Sequence, residues 1–155
     1  MTGTITVNGA RISISFNPTD TLLDVLRNSG HTEVKRGCSS GECGTCTVLL
    51  DDLLVNSCQV FAATALDKRV TTSTGLGENG RAHLIHEAFA DTGAVQCGFC
   101  TPGMVMATHS LLAKTPDPTE EEIREGLVGN LCRCTGYVKI FDAVKLAGER
   151  MRKDG

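Results

Sequence analysis

The cysteines restrict what this chain can fold into more than any other feature, because they fall into two groups of four. The first group is Cys38, Cys43, Cys46 and Cys58, with four, two and eleven residues between successive members. The second group is Cys97, Cys100, Cys132 and Cys134. With no Trp, one Tyr and five Phe among 155 residues, large core side chains are scarce, so metal–ligand bonds are a natural further source of stability.

The spacing of the first group favours an iron–sulfur cluster. C-x4-C-x2-C followed by a distant fourth cysteine is the order found in plant-type 2Fe-2S ferredoxins. Glycines at 37, 41 and 44 accept positive φ and let the loop direct N–H groups at the sulfur atoms. The alternatives are a zinc knuckle and a disulfide pair. Tetrahedral zinc usually combines two short CxxC-like pairs, whereas this group has one short pair and a four-residue gap.

The second group consists of two short pairs, Cys97-Gly98-Phe99-Cys100 and Cys132-Arg133-Cys134, separated by thirty-one residues. Such pairs could bind either zinc or an iron–sulfur cluster, and the spacing alone favours neither interpretation clearly. A CxC pair is too tight for a normal zinc knuckle, which favours a cluster. Arg133 could offset the negative charge of a cluster or be an ordinary exposed cation.

The first half of the chain has the alternation of apolar residues that is typical of strands. Residues 4–16 alternate around Asn8-Gly9, and residues 47–55 surround Asp51-Asp52, so each segment predicts a hairpin. Between them, residues 22–26 predict a short helix with Asp20 as its N-cap.

The second half has helical periodicity, and four apolar stripes predict a bundle of four helices. Thr101 is a candidate cap ahead of Pro102, and Thr119 with Glu122 fits a capping box. Residues 73–80 contain three glycines and no apolar period, as linkers do. We expect an α+β chain with a ferredoxin-like domain at 1–74, a linker at 75–80 and a helical domain at 81–155.

Several function classes are disfavoured. The net charge is −3 and the basic residues form no stripe, so a nucleic-acid partner is not expected. No apolar run reaches the roughly 20 residues of a membrane span, and we expect a cytoplasmic chain. There is no glycine-rich phosphate motif and no nucleophile–base pair, so substrate chemistry is not expected here.

His83 and His86 have a metal-binding spacing, but a solvated helix face is the simpler interpretation. Met104 and Met106 are core or interface residues.

Three segments of the chain carry a resemblance to a known family: GCSSGECGTCTVLL at 37–50, QCGFCTPGMVM at 96–106 and GNLCRCTGYVKI at 129–140. They resemble the signatures of the small iron–sulfur subunits of xanthine dehydrogenases and aldehyde oxidoreductases, which are molybdenum hydroxylases. The similarity runs along nearly the whole chain, and all eight ligand positions are filled. It implies a β-grasp ferredoxin domain followed by a helical 2Fe-2S domain.

The resemblance also implies a role for the chain in a larger complex. The first cysteine group would bind the cluster on the flavin side, and the second group the cluster beside a molybdopterin cofactor. Gln96 and Cys134 would contact that cofactor. The chain would pass electrons between a large molybdopterin-binding subunit and a medium FAD-binding subunit or another acceptor. A zinc-binding module with purely structural cysteines and a free ferredoxin-like carrier are the alternatives.

Overall fold

The first part of the chain contributes five strands to one mixed sheet. The structure is a computed structural model and describes residues 1–77 and 83–154. The strands are β1 (Thr2–Val7), β2 (Ala10–Ser15), β3 (Thr47–Leu50), β4 (Leu53–Asn56) and β5 (Arg69–Thr71). Their order across the sheet is β2-β1-β5-β3-β4, and only the β1–β5 pair is parallel within the described residues.

Both predicted hairpins are confirmed. At the first turn Asn8 and Gly9 have φ values of 49° and 83°, the left-handed pair that a tight two-residue hairpin requires. Asp51 and Asp52 make the same kind of turn between β3 and β4, with φ values of 46° and 68°. Each turn sets the register of its hairpin, so one face of the sheet consistently carries buried apolar residues.

Helix α1 (Leu22–Asn28) packs its apolar face into the core beside this sheet, but its predicted cap was wrong by one residue. Thr21 is the N-cap: its hydroxyl accepts from Asp24 N at 3.3 Å, and the Asp24 carboxylate accepts from Thr21 N at 2.8 Å. Asp20 instead accepts from Asn17 N at 2.8 Å. Both residues are good cap types, and the acidic residue three positions after Thr21 decides between them.

Within the described residues, the second half contains four helices, as predicted. They are α2 (Leu84–Asp91), α3 (Thr101–Lys114), α4 (Glu120–Gly126) and α5 (Val138–Asp154). The capping box of Thr119 and Glu122 is confirmed, with bonds of 3.3 and 2.7 Å. Thr101 already belongs to α3, and Cys100 takes the N-cap position, so the cap predicted there was wrong. None of the helices in the described part of the chain is long and apolar enough to cross a membrane.

The described residues form two separate apolar cores, one under the sheet and one among the helices. Met104 and Met106 are fully buried, which confirms them as core residues. Ser73–Leu76 forms a single 3-10 turn, and Leu76 packs against the helical core. The predicted linker at 75–80 lies partly outside the described residues, so the boundaries at 74 and 81 stay predictions. The sheet and the helices together confirm the α+β class.

Candidate metal centres

The first cysteine group lies on the loop between α1 and β3 and just after β4. Cys38 is exposed and Cys43 half-buried, whereas Cys46 and Cys58 are 3% and 6% exposed and belong to the sheet's core. The loop folds around its own sulfur atoms, because Ser40 N and Cys43 N each lie 3.4 Å from Cys38 Sγ. Cys38 N in turn donates to Cys43 Sγ at 3.4 Å. Such N–H groups stabilise negative charge on sulfur.

The pKa values of this group separate an outer sulfur from an inner one. A hydrogen bond from the Ser40 hydroxyl, followed by those from backbone N–H groups, lowers the pKa of Cys38 to about 6. Burial raises the pKa of Cys46 to about 11, and the neighbouring Cys58 thiol adds to this. The thiolate is the form that binds metal, so the loop favours the binding form at Cys38. At Cys46 a bound cation has to offset the cost of burying the charge.

Two side chains that sequence analysis missed also reach these sulfur atoms. Thr45 Oγ1 lies 3.3 Å from Cys43 Sγ. Gln59 Nε2 donates to Cys58 Sγ at 3.4 Å and to the backbone oxygen of Ser39 at 3.2 Å. Both residues are sequence neighbours of cysteines, but only the folded loop shows that they point at the sulfur atoms.

The second cysteine group is assembled from the segments that precede α3 and α5. Cys97 and Cys134 are both exposed, and their sulfur atoms are 3.6 Å apart. Cys100 and Cys132 are half-buried. Burial, reinforced by the nearby Cys132 thiol, raises the pKa of Cys100 to about 12. Thr135 donates to Cys132 Sγ through its hydroxyl at 3.1 Å and through its backbone N at 3.5 Å.

Each group is therefore arranged as two pairs of cysteines, and this arrangement fits a 2Fe-2S cluster. Such a cluster takes four thiolates, two on each of its two irons. The pairs are Cys38 with Cys43, Cys46 with Cys58, Cys97 with Cys134, and Cys100 with Cys132. In residues 1–77 and 83–154, no three His, Cys, Asp or Glu side chains converge as the ligands of a single ion do.

The loop that carries the first cysteine group contacts the helical half at a site that we call the domain junction: Cys43, Gly44, Gly103, Asn130 and Leu131. Leu131 N donates to Cys43 O at 2.9 Å, and Asn130 Nδ2 donates to Gly44 O at 3.0 Å. Gly103 of α3 faces the same carbonyl so closely that an added Cβ would lie 2.1 Å from it. The junction therefore connects the loop of the first group directly to the segments that carry the second.

Comparison with known proteins identifies the family. A profile described as "2Fe-2S iron-sulfur cluster binding domain" matches residues 5–74, and one described as "[2Fe-2S] binding domain" matches residues 72–145. The chain is 48% identical over 147 residues to the nicotinate dehydrogenase small FeS subunit of Eubacterium barkeri, covering 94% of each. It is 47% identical over 141 residues to the xanthine dehydrogenase iron-sulfur-binding subunit of Escherichia coli O157:H7, covering 90% of this chain and 89% of that one.

The chain belongs to the small iron–sulfur subunits of the molybdenum hydroxylase family. The structure agrees: quinoline 2-oxidoreductase from Pseudomonas putida 86 superimposes with a TM-score of 0.94 at 38% identity, covering 99% of this chain and 96% of that one. This iron–sulfur subunit is thus a part of an oxidoreductase, with two 2Fe-2S-binding domains and an electron-transfer role.

The two residues predicted to contact a cofactor in a partner lie at the surface of the iron–sulfur subunit. Gln96 and Cys134 are both exposed, as is Arg133 between the last two cysteines. Large apolar side chains next to the second cysteine group in the sequence are exposed as well. They are Val95 (42%), Phe99 (46%), Leu131 (52%) and Val138 (66%). Exposed apolar side chains gathered into one patch are typical of surfaces that another protein covers.

His83 and His86 do not lie on a solvated helix face, so that prediction was wrong. Both are half-buried and cap α2: His83 Nδ1 accepts from Ile85 N, and His86 Nδ1 accepts from His83 N, each at 3.2 Å. These bonds need a lone pair on each Nδ1 and therefore a neutral ring. Burial lowers the pKa of His86, which favours that neutral form.

Proposed function

We propose that this chain is the electron-transfer subunit of a multi-subunit molybdenum hydroxylase or dehydrogenase. In this proposal it connects a molybdopterin site in a large, substrate-binding subunit with FAD in a medium subunit, or with another acceptor. When bound, each 2Fe-2S cluster accepts and releases one electron at a time, which suits a chain that divides a two-electron oxidation into single steps.

The eight cysteines are the proposed ligands. Cys38, Cys43, Cys46 and Cys58 hold one cluster, and Cys97, Cys100, Cys132 and Cys134 hold the other. The pairing of sulfur atoms in each group supports this assignment, as do the N–H and hydroxyl groups directed at them. We further assign the first half to the β-grasp fold and the second to a four-helix bundle, with the parallel β1–β5 pair and α1 supporting the former.

One observation carries the electron-transfer role: the 2.9 Å hydrogen bond from Leu131 N to Cys43 O. Cys43 is a proposed ligand of the first cluster, and Leu131 directly precedes Cys132, a proposed ligand of the second. A short path of covalent bonds, joined by this single hydrogen bond, thus connects the two sites. Two clusters held by unrelated structural sites would have no need of such contact.

The partner assignments rest on the exposed end of the helical half and on the relatives. Gln96 and Cys134 are open to a partner, and we assign them to contact with the molybdopterin. The relatives are described as a "small FeS subunit" and an "iron-sulfur-binding subunit" of dehydrogenases, which implies further subunits. A permanent interface would bury on the order of 2,000 Å² or more. A cytoplasmic location completes the proposal, because a reducing compartment keeps cysteines free for metal.

Reciprocal variants test the assignment. In the purified complex, Cys43→Ser should abolish the EPR signal of one reduced cluster, and Cys134→Ser should abolish the other. Cys43→Ser should also stop electron delivery to the acceptor while substrate binding persists. Retention of both EPR signals in either variant would reject the ligand sets.

The wild-type protein discriminates the other candidates. A zinc-binding module would be colourless and free of acid-labile sulfide, whereas the proposed subunit is red-brown. A free ferredoxin-like carrier would purify alone, whereas the proposed subunit brings two larger chains with it.

A further inference from the structure

Asn130 is a buried amide at the contact between the two halves of the chain. It is 6% exposed, and its Nδ2 donates to Gly44 O at 3.0 Å, across 86 positions of sequence. A buried amide without a hydrogen bond is unfavourable, because it has lost its bonds to water and gained none in return. The acceptor belongs to the other domain, so within the contact, where water is excluded, the amide depends on the Gly44 carbonyl.

The backbone around Asn130 leaves little freedom for the two halves to shift. Gly44 has φ +68°, and a Cβ there would lie 2.3 Å from the carbonyl oxygen of Gly129. A Cβ on Gly103 would lie 2.1 Å from the carbonyl oxygen of Gly44. Both contacts are with backbone atoms, which cannot rotate aside as a side chain can. Asn130 therefore holds together two segments that already touch at backbone distance.

Asn130 is also bonded to the segment that carries the second cysteine group. Its backbone carbonyl accepts from the Tyr137 hydroxyl at 3.3 Å, and that hydroxyl accepts from Cys132 N at 2.9 Å. Gly44, at the other end, lies between Cys43 and Cys46. A displacement of Asn130 would therefore move Cys132 relative to Cys43.

We propose that Asn130 is a positioning residue for electron transfer, which fixes the separation of the two clusters by holding the Gly44 carbonyl. The inference rests on the proposed function, since it needs a cluster at each cysteine group. The rate of electron transfer between two centres falls steeply with their separation, so a relay requires a fixed spacing. Sites that depend on geometry in this way are held by buried hydrogen bonds around them.

The test is the magnetic interaction between the two clusters, which depends on their separation. The intact complex is reduced with dithionite, and the spin–spin splitting of the two cluster EPR signals is measured. Asn130→Ala removes the amide, and Asn130→Asp keeps its shape but replaces the donor with a carboxylate facing the Gly44 carbonyl. Asn28→Ala is the matched control, because Asn28 is exposed at the end of α1.

We expect both Asn130 variants to keep the iron content of the wild type and the EPR signals of both clusters. The spin–spin splitting, which has one value in the wild type, should become smaller or take a range of values. Asn28→Ala should match the wild type. Wild-type splitting in both Asn130 variants would overturn the proposal. Loss of a cluster in both Asn130 variants would also overturn the proposal, because Asn130 would then be needed to form a cluster site. If only one variant loses a cluster, the splitting measured in the other variant decides. A wild-type complex without iron–sulfur signals would instead refute the proposed function.

Discussion

The two cysteine groups differ in how much shelter this chain itself provides. In the first group Cys46 and Cys58 are part of the sheet's core, and the loop from 37 to 46 wraps the remaining sulfur atoms with its own N–H groups. In the second group Cys97 and Cys134 are exposed, and even the inner pair is only half-buried. The first group is thus sheltered largely by its own domain, whereas the second is more open to solvent in this chain.

This contrast assigns different stability roles to the cysteines. A sulfur atom in an apolar core contributes packing as well as a ligand bond, while an exposed sulfur contributes the ligand bond alone. The same contrast is seen in the exposed apolar residues that lie near the second group in the sequence.

The largest expected effect is that of removing a ligand from each group. Cys46→Ser and Cys134→Ser should each remove one cluster, but Cys46→Ser should destabilise the chain further. It leaves a hydroxyl in an apolar core, at a cost of roughly 1–3 kcal/mol beyond the cluster itself. Urea unfolding with iron analysis measures both effects. Equal destabilisation by the two variants would show that the groups are sheltered alike.

A smaller effect is expected at the domain junction. Alanine usually stabilises a helix relative to glycine, but at Gly103 its Cβ would meet the Gly44 carbonyl at 2.1 Å. We expect Gly103→Ala to lower the free energy of unfolding by about 2 kcal/mol, as overpacking does. Gly129→Ala is the matched control, because a Cβ there meets nothing within 4 Å. If Gly103→Ala were as stable as this control, the halves would not be in tight contact.

The smallest expected effect is a difference in acid sensitivity. In the helical half, burial lowers the pKa of His86 below its usual 6.5, so the unfolded chain takes up protons first and stability falls as the pH drops below 6.5. In the ferredoxin-like half, burial alone would raise the pKa of Glu33, but hydrogen bonds from Thr72 and other groups hold it below its usual 4.5. The stability that Glu33 contributes is therefore lost only as the pH falls below 4.5 towards the folded pKa.

The helical half should accordingly weaken at higher pH than the ferredoxin-like half. His86→Gln keeps an acceptor at the capping position and should flatten the pH dependence of the urea midpoint below 6.5. Glu33→Gln should flatten the pH dependence of the urea midpoint only below pH 4.5. Identical curves for wild type and His86→Gln would remove His86 as the source of the difference.

The features that sequence analysis predicted are those determined by neighbouring residues. Asn8-Gly9 and Asp51-Asp52 define their hairpins locally, and the capping box of Thr119 follows from Glu122 three residues on. Cysteine spacing is equally local, and the ligand sets that it indicates stay predictions. The N-cap of α1 is local as well, because Asp24 lies three residues after Thr21 and completes its capping box, whereas Asp20 lacks such a partner in this helix.

The features that were missed depend on the folded chain. The Asn130–Gly44 bond joins residues 86 positions apart, and no local pattern marks either as a contact residue. Gln59 and Thr45 reach sulfur only because the loop turns back on itself. The positions of His83 and His86 were also missed, because their spacing along the sequence does not reveal that His83 is the N-cap of α2.

The backbone contact between Gly44 and Gly103 limits how such a chain can be recombined. A chimera that grafts a foreign ferredoxin onto residues 83–154 would bring its own loop against the helical half. Any side chain directly after its second cysteine would meet the Gly129 carbonyl oxygen and the Asn130 side chain, which a Cβ at Gly44 would approach to 2.3 and 2.5 Å. The ferredoxin-like half and the helical half can therefore be exchanged only together. A hybrid of unrelated halves would keep both folds but lose the relative placement of the halves.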